Sequence, residues 1–113
     1  MPKKLRAGIL GYGRMGRAFV AAMQSSNLWE VAAVYDICAH ARELARQQIP
    51  NAAIYDRPEP IFADTSIDAV GLFTLADARP QQIHQALSHR KHVLAEKPIA
   101  ARRRYGVATR SRN

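Results

Sequence analysis

The stretch ILGYGRMGRAF at residues 9–19 constrains the fold of this chain more than any other, because three glycines stand between an apolar run and an amphipathic pattern. Residues 5–10, LRAGIL, read as a buried strand that glycine terminates. From Met15 onward, Met15, Ala18, Phe19, Ala22 and Met23 recur at helical spacing and define the expected buried face of a helix. Gly11, Gly13 and Gly16 fill the junction. Such a chain can leave a strand sharply and enter a helix whose first backbone N–H groups are bare.

The alternation continues along the chain. EVAAVYD (30–36) is a nearly unbroken apolar run, as in a strand covered on both faces. A second helix follows, with Ala41, Leu44, Ala45 and Ile49 on one face and Pro50 marking its end. AAIYD (52–56) is a short third strand, and RPEPIFADTS (57–66) a loop or a single helical turn. DAVGLFT (68–74) is a fourth strand. RPQQIHQALSHR (79–90) is a helix with Pro80 in its opening turn and Ile83, Ala86 and Leu87 as its expected stripe, and KHVLAE (91–96) is a fifth strand. Strand and helix in this order predict an α/β fold, a doubly wound parallel sheet of about five strands joined by right-handed crossovers. Ligands of such sheets bind beyond the carboxyl ends of the strands, where the winding reverses.

Composition narrows the class. The 113 residues suit one domain, and 48% hydrophobic with 23% charged residues excludes a mainly disordered chain. No apolar run reaches the roughly 18 residues of a membrane span, and the opening MPKKLRAGILGYG lacks a secretory apolar region. With a single cysteine, Cys38, the chain is expected in the reducing cytoplasm. The net charge of +8 is concentrated at one end: residues 101–113 hold five of the 17 basic residues and none of the nine acidic ones, which leaves 12 minus 9, or +3, elsewhere. That distribution points away from a general nucleic-acid surface.

The glycines have a chemical reading. A helix N-terminus carries roughly half a positive charge and unpaired N–H groups, so it holds a pyrophosphate if the backbone can approach. In GYGRMG, Gly11 permits the exit from the strand, Gly13 bares the backbone and Gly16 lets the helix lie close. Gly11, Tyr12, Gly13, Arg14, Met15 and Gly16 therefore form a candidate cofactor-binding loop. Glycines at this spacing also occur in ordinary turns; the flanking strand and helix, and an acid ending the next strand, distinguish this one. That acid, Asp36, lies 20 residues after Gly16, where a carboxylate accepts hydrogen bonds from ribose hydroxyls and repels a 2′-phosphate. NAD is the expected cofactor. Arg14 and Arg42 lie near enough in sequence to leave NADP open.

GYGRMG, Asp36, IDAVGLFT and KHVLAEKP together resemble the N-terminal half of the Gfo/Idh/MocA oxidoreductases, over residues 5–100. The resemblance implies a Rossmann domain at residues 1–100 and hydride transfer to or from a sugar, cyclitol or related polyhydroxy compound. It gives Lys97 contacts to the nicotinamide ribose and to the reacting hydroxyl, Glu96 the orientation of that lysine, and Pro98 a turn toward the cleft. Thr74, at the end of the fourth strand, joins the candidate cofactor contacts. An alcohol losing hydride must also lose its hydroxyl proton, so a lysine beside the oxygen suits the chemistry.

The chain also departs from the family pattern. Where the family has Thr-Pro-Asn and then a histidine, this chain has Thr74, Leu75, Ala76 and then Arg79. Arg90 replaces the usual glycine before KHV, a change that is neutral only if the turn needs no positive φ. The family continues with a sixth strand and a substrate domain, whereas here ARRRYGVATRSRN (101–113) reads as a basic tail, disordered or out of frame after about Ala101. A truncated sheet would leave an open strand edge and favour self-association, so a homo-oligomer is expected. His40, His84, His89 and His92 lack ligand spacing, and no metal site is expected. Two readings follow: the cofactor half of an oxidoreductase, complemented by a second domain, or a non-catalytic dinucleotide-binding module.

Overall fold

Apolar strands flanked by amphipathic helices assemble as the alternation requires. The computed structural model describes residues 3–95. Five strands, β1 (Leu5–Leu10), β2 (Trp29–Tyr35), β3 (Ala53–Tyr55), β4 (Ala69–Leu72) and β5 (His92–Ala95), form one sheet in the order β3-β2-β1-β4-β5. Every pairing is parallel. The chain winds from β1 outward to β3, then crosses back to β4 and β5, so the direction reverses between β1 and β4.

Four α-helices fill the crossovers: α1 (Arg14–Gln24), α2 (Ala39–Gln48), α3 (Glu59–Ala63) and α4 (Arg79–Ser88), the last preceded by a 3-10 turn at Ala76–Ala78. Ile9, Val34, Val20, Met23, Ala45 and Ile49 form one apolar cluster, which places α1 and α2 on the same face. Leu10, Ile61, Phe62, Val70, Leu72 and Ala86 form a second, with α3 and α4. β4 is buried throughout, as a strand covered on both faces should be. RPEPIFADTS contributes a short helix rather than a bare loop because Ile61 and Phe62 both fill the second cluster.

Two expected helix faces are rotated. On α1 the buried residues are Gly16, Val20 and Met23, while Met15, Ala18 and Ala22 are exposed. Gly16 sets this rotation: it must face the Gly11 carbonyl, which an added Cβ would meet at 2.0 Å. On α4 the buried residues are Gln82 and Ala86, with Ile83 half-buried and Leu87 exposed. A polar side chain thus takes a core-facing position.

The turn before β5 does need a positive φ. Arg90 has φ 61°, the one non-glycine residue with a positive φ among the described residues. Arg90 N donates to Leu87 O at 3.0 Å and Lys91 N to Ala86 O at 2.9 Å, the two bonds of a Schellman stop in which the residue after the cap is left-handed. Lys91 is then buried, its ammonium donating to Asp64 O at 2.6 Å and Ile67 O at 2.9 Å. Burial holds its pKa below the ordinary lysine value, against the opposing pull of Asp64 and Asp68. Glu96, Lys97, Pro98 and the basic tail at 101–113 lie outside the described residues.

Candidate functional site

The glycine loop sits at the carboxyl end of β1, at the point where the winding reverses. Each glycine answers a different demand. Gly11 has φ 99°, and a Cβ there would lie 2.4 Å from the Phe73 carbonyl oxygen at the end of β4. Gly16 lets the first turn of α1 rest on the Gly11 carbonyl. A Cβ on Gly13 would meet nothing within 4 Å, so its space is open.

Gly13 caps α1 without any side-chain hydrogen bond, and the first turn carries no acid. The N-terminal N–H groups and the positive end of the helix dipole therefore have no neutralising side chain in that turn. Arg14 and Met15 at the start of the helix are exposed. Tyr12 behaves differently: its ring is 2% exposed and packs in the first cluster, with its hydroxyl donating to Gln48 Oε1. Burial raises the Tyr12 pKa, and Arg17 opposes it. What Tyr12 brings to the loop is its backbone.

Asp36 follows β2 and is fixed by its surroundings. Its Oδ2 accepts from Tyr12 N at 2.7 Å and its Oδ1 from Cys38 N at 2.8 Å, so one carboxylate ties the glycine loop to the start of α2. Arg42 Nη1 donates to the carbonyls of Asp36 at 2.9 Å and Ile37 at 3.0 Å. Arg42 is thereby tethered to the loop backbone. A carboxylate offers about four acceptor positions, and the two bonds leave capacity for a ligand's hydroxyls.

These segments border a cavity of about 410 Å³, with Gly11, Gly13 and Asp36 on one side and Thr74, Asp77 and Gln82 on the other. Ile37 and Leu75, 81% and 78% exposed, also line it and present apolar surface suited to a planar ring. Among the described residues no basic side chain lines this cavity. A larger hollow of about 570 Å³ lies between α1 and α2 around Arg17 and Gln48, with Tyr12 in its wall. It lacks bare backbone at a helix start and has no comparable ligand chemistry.

The structure brings Gly11, Gly13, Asp36 and Thr74 to one cavity and turns the Tyr12 side chain away from it; Glu96 and Lys97 lie outside the described residues. Sequence reasoning missed Ile37, Leu75, Asp77 and Gln82. The one available signal was Gln82 itself, a polar residue one helical turn before Ala86 on a face expected to be apolar. No group of three or more metal-ligating side chains occurs among the described residues.

Comparison with known proteins agrees with this fold. The profile of GFO_IDH_MocA, described as an oxidoreductase family with an NAD-binding Rossmann fold, matches residues 5–109. An inositol 2-dehydrogenase of Mycolicibacterium gilvum is 34% identical over 96 residues, covering 84% of this chain and 28% of that protein. A myo-inositol dehydrogenase from Lactobacillus casei, solved in complex with NAD(H) and myo-inositol, superposes with a TM-score of 0.83 at 28% identity, over 98% of this chain and 34% of that one. An NAD-binding protein from Listeria innocua gives a TM-score of 0.81 at 34% identity, over 98% and 34% of the two chains. The chain therefore spans about a third or less of the relatives it matches.

Proposed function

Because the chain belongs to the Gfo/Idh/MocA oxidoreductase family, we propose that it is the cofactor-holding part of an oxidoreductase that moves a hydride to or from a cyclitol, sugar or related polyhydroxy compound. The observation that carries this reading is the open backbone at Gly13 beside the fixed carboxylate of Asp36, in one cavity at the sheet's switch point. The residues fit a dinucleotide. The N–H groups of the α1 N-terminus take the pyrophosphate, Asp36 takes the adenosine ribose hydroxyls, and Ile37 flanks the adenine.

When bound, the nicotinamide supplies the hydride acceptor or donor. Lys97, which follows β5 in sequence, holds the substrate hydroxyl and eases the movement of its proton, and Glu96 orients that lysine. Thr74 faces the same cavity from the end of β4. Substrate contacts beyond these come from a partner domain, since the matched relatives are about three times as long as the chain. The cytoplasm suits such a reaction, and no helix among the described residues is long and apolar enough to cross a membrane.

NAD is preferred over NADP in this reading. Asp36 is held by two backbone N–H groups, and among the described residues no cation lines the cavity to receive a 2′-phosphate. Calorimetric titration with NADH and NADPH tests it. Tighter binding of NADH, with Asp36→Ala and Asp36→Asn each weakening NADH by about tenfold to a hundredfold and erasing the preference, is expected from losing hydrogen bonds to a charged group. A folded chain that binds neither dinucleotide refutes the reading.

A further inference from the structure

Gln82 and Lys91 are the two polar or charged side chains buried among the described residues, and they differ in how they are satisfied. Lys91 donates to two carbonyls. Gln82, only 8% exposed, uses one end of its amide: its Oε1 accepts from the Thr74 hydroxyl, and no described residue engages its Nε2. Turning the amide over exchanges its ends, but a threonine hydroxyl can donate or accept, so among the described residues one polar end remains unpaired either way. Gln82 also lines the cavity that holds Gly13 and Asp36. A buried amide left half-paired is destabilising, and native structures keep such groups where water or a ligand completes them.

The topology states which part of a ligand this group would meet. Asp36 follows β2, the glycine loop follows β1, and Thr74 follows β4, in a sheet whose order runs β2-β1-β4. A dinucleotide whose adenosine lies at Asp36 and whose pyrophosphate lies at the glycine loop extends toward β4. We propose that Gln82 is a cofactor-positioning residue whose free amide end hydrogen-bonds a ribosyl-phosphate oxygen in the half of the dinucleotide distal to adenosine. The inference rests on the dinucleotide reading above and adds a residue to it. Thr74 fixes the rotamer of Gln82 from one side, and the ligand completes it from the other.

Titration of the full chain with AMP, ADP-ribose and NADH tests the assignment. Gln82→Glu keeps an oxygen for the Thr74 hydroxyl but presents an acceptor where the amide presents a donor; Gln82→Leu removes both ends without adding charge. Both variants are expected to lose about tenfold in affinity for ADP-ribose and NADH, while AMP binding stays within about twofold and thermal melting shows a folded protein. Undiminished ADP-ribose affinity in both folded variants overturns the proposal, and so does an equal loss for AMP, which marks a merely structural side chain. No binding of any of the three to the unsubstituted chain refutes the dinucleotide reading itself, and this assignment with it.

Discussion

Replacing Arg90 by glycine should stabilise the protein, although it removes a side chain. Arg90 stands one residue past the cap of α4 with φ 61°, held there by the bonds from its own N to Leu87 O and from Lys91 N to Ala86 O. The left-handed region costs a residue with a Cβ roughly 1–2 kcal/mol. Glycine avoids that strain but loses about 0.5–1 kcal/mol more in backbone entropy on folding. The difference is a net gain of about 0.5–1 kcal/mol, or about 2–8 °C in Tm for a domain of this size. Arg90 is exposed, and none of its side-chain atoms makes a hydrogen bond or ion pair with a described residue, so little is lost with the guanidinium. Thermal and urea melts of the unsubstituted protein, Arg90→Gly and Arg90→Ala check this. Alanine keeps the strained backbone and should match arginine to within about 0.5 kcal/mol, with only glycine rising. Equal stability of glycine and alanine variants would refute the reasoning, because the strain would then do no more than offset glycine's extra backbone entropy.

The two helix-start glycines should separate fold from binding. Gly16→Ala drives a Cβ to 2.0 Å from the Gly11 carbonyl and should destabilise by about 1–3 kcal/mol in urea melts, whereas Gly13→Ala meets nothing within 4 Å and should leave the melt nearly unchanged while weakening dinucleotide affinity at least tenfold. Lys91→Met takes the ammonium donor from the carbonyls of Ile67 and of Asp64, which keeps only the Ile67 N–H at 3.1 Å, and should destabilise by about 1–3 kcal/mol at neutral pH. Because burial lowers the Lys91 pKa, the folded protein releases this proton before the unfolded chain does. The burial penalty is therefore fully present below the folded pKa and is relieved as pH rises from there toward the ordinary lysine value of 10.5. The stability of the unsubstituted protein relative to Lys91→Met should grow across that alkaline window; Tyr12 and Tyr35, whose pKa values burial raises, act in the opposite sense in both proteins and cancel. A difference that is flat with pH would contradict it.

The strands and their order of use were legible because continuous apolar runs such as EVAAVYD have few alternatives to a covered parallel strand. Helix faces were less so. Periodicity in α1 favours Met15, Ala18 and Ala22, yet the approach of Gly16 to a carbonyl turns the helix to bury Val20 instead. Apolar spacing ranks side chains by hydrophobicity and is blind to where a missing one is required. The same limit hid Gln82, which shares the buried face of α4 with Ala86 one turn on but is polar, and whose partner Thr74 lies outside the helix. Tyr12 illustrates a third case: its place in the glycine motif makes it a candidate cofactor contact, while its ring belongs to the core. The place of Asp36 at the end of β2 could be read from spacing, and its bond from Cys38 N is a local turn, but the bond from Tyr12 N could not, since it depends on how the glycine loop folds over the end of β2.

Backbone amide NMR of the full chain during addition of NADH locates the dinucleotide site directly. The amides of Gly11 through Gly16, of Asp36 and Ile37, and of Thr74 through Ala78 should shift together and saturate with one affinity, while Leu5, Lys91 and His92 at the amino ends of the strands stay in place. Shifts confined to the hollow around Arg17 and Gln48, or to the Lys91 end of the sheet, would contradict the placement of the cofactor at the glycine loop.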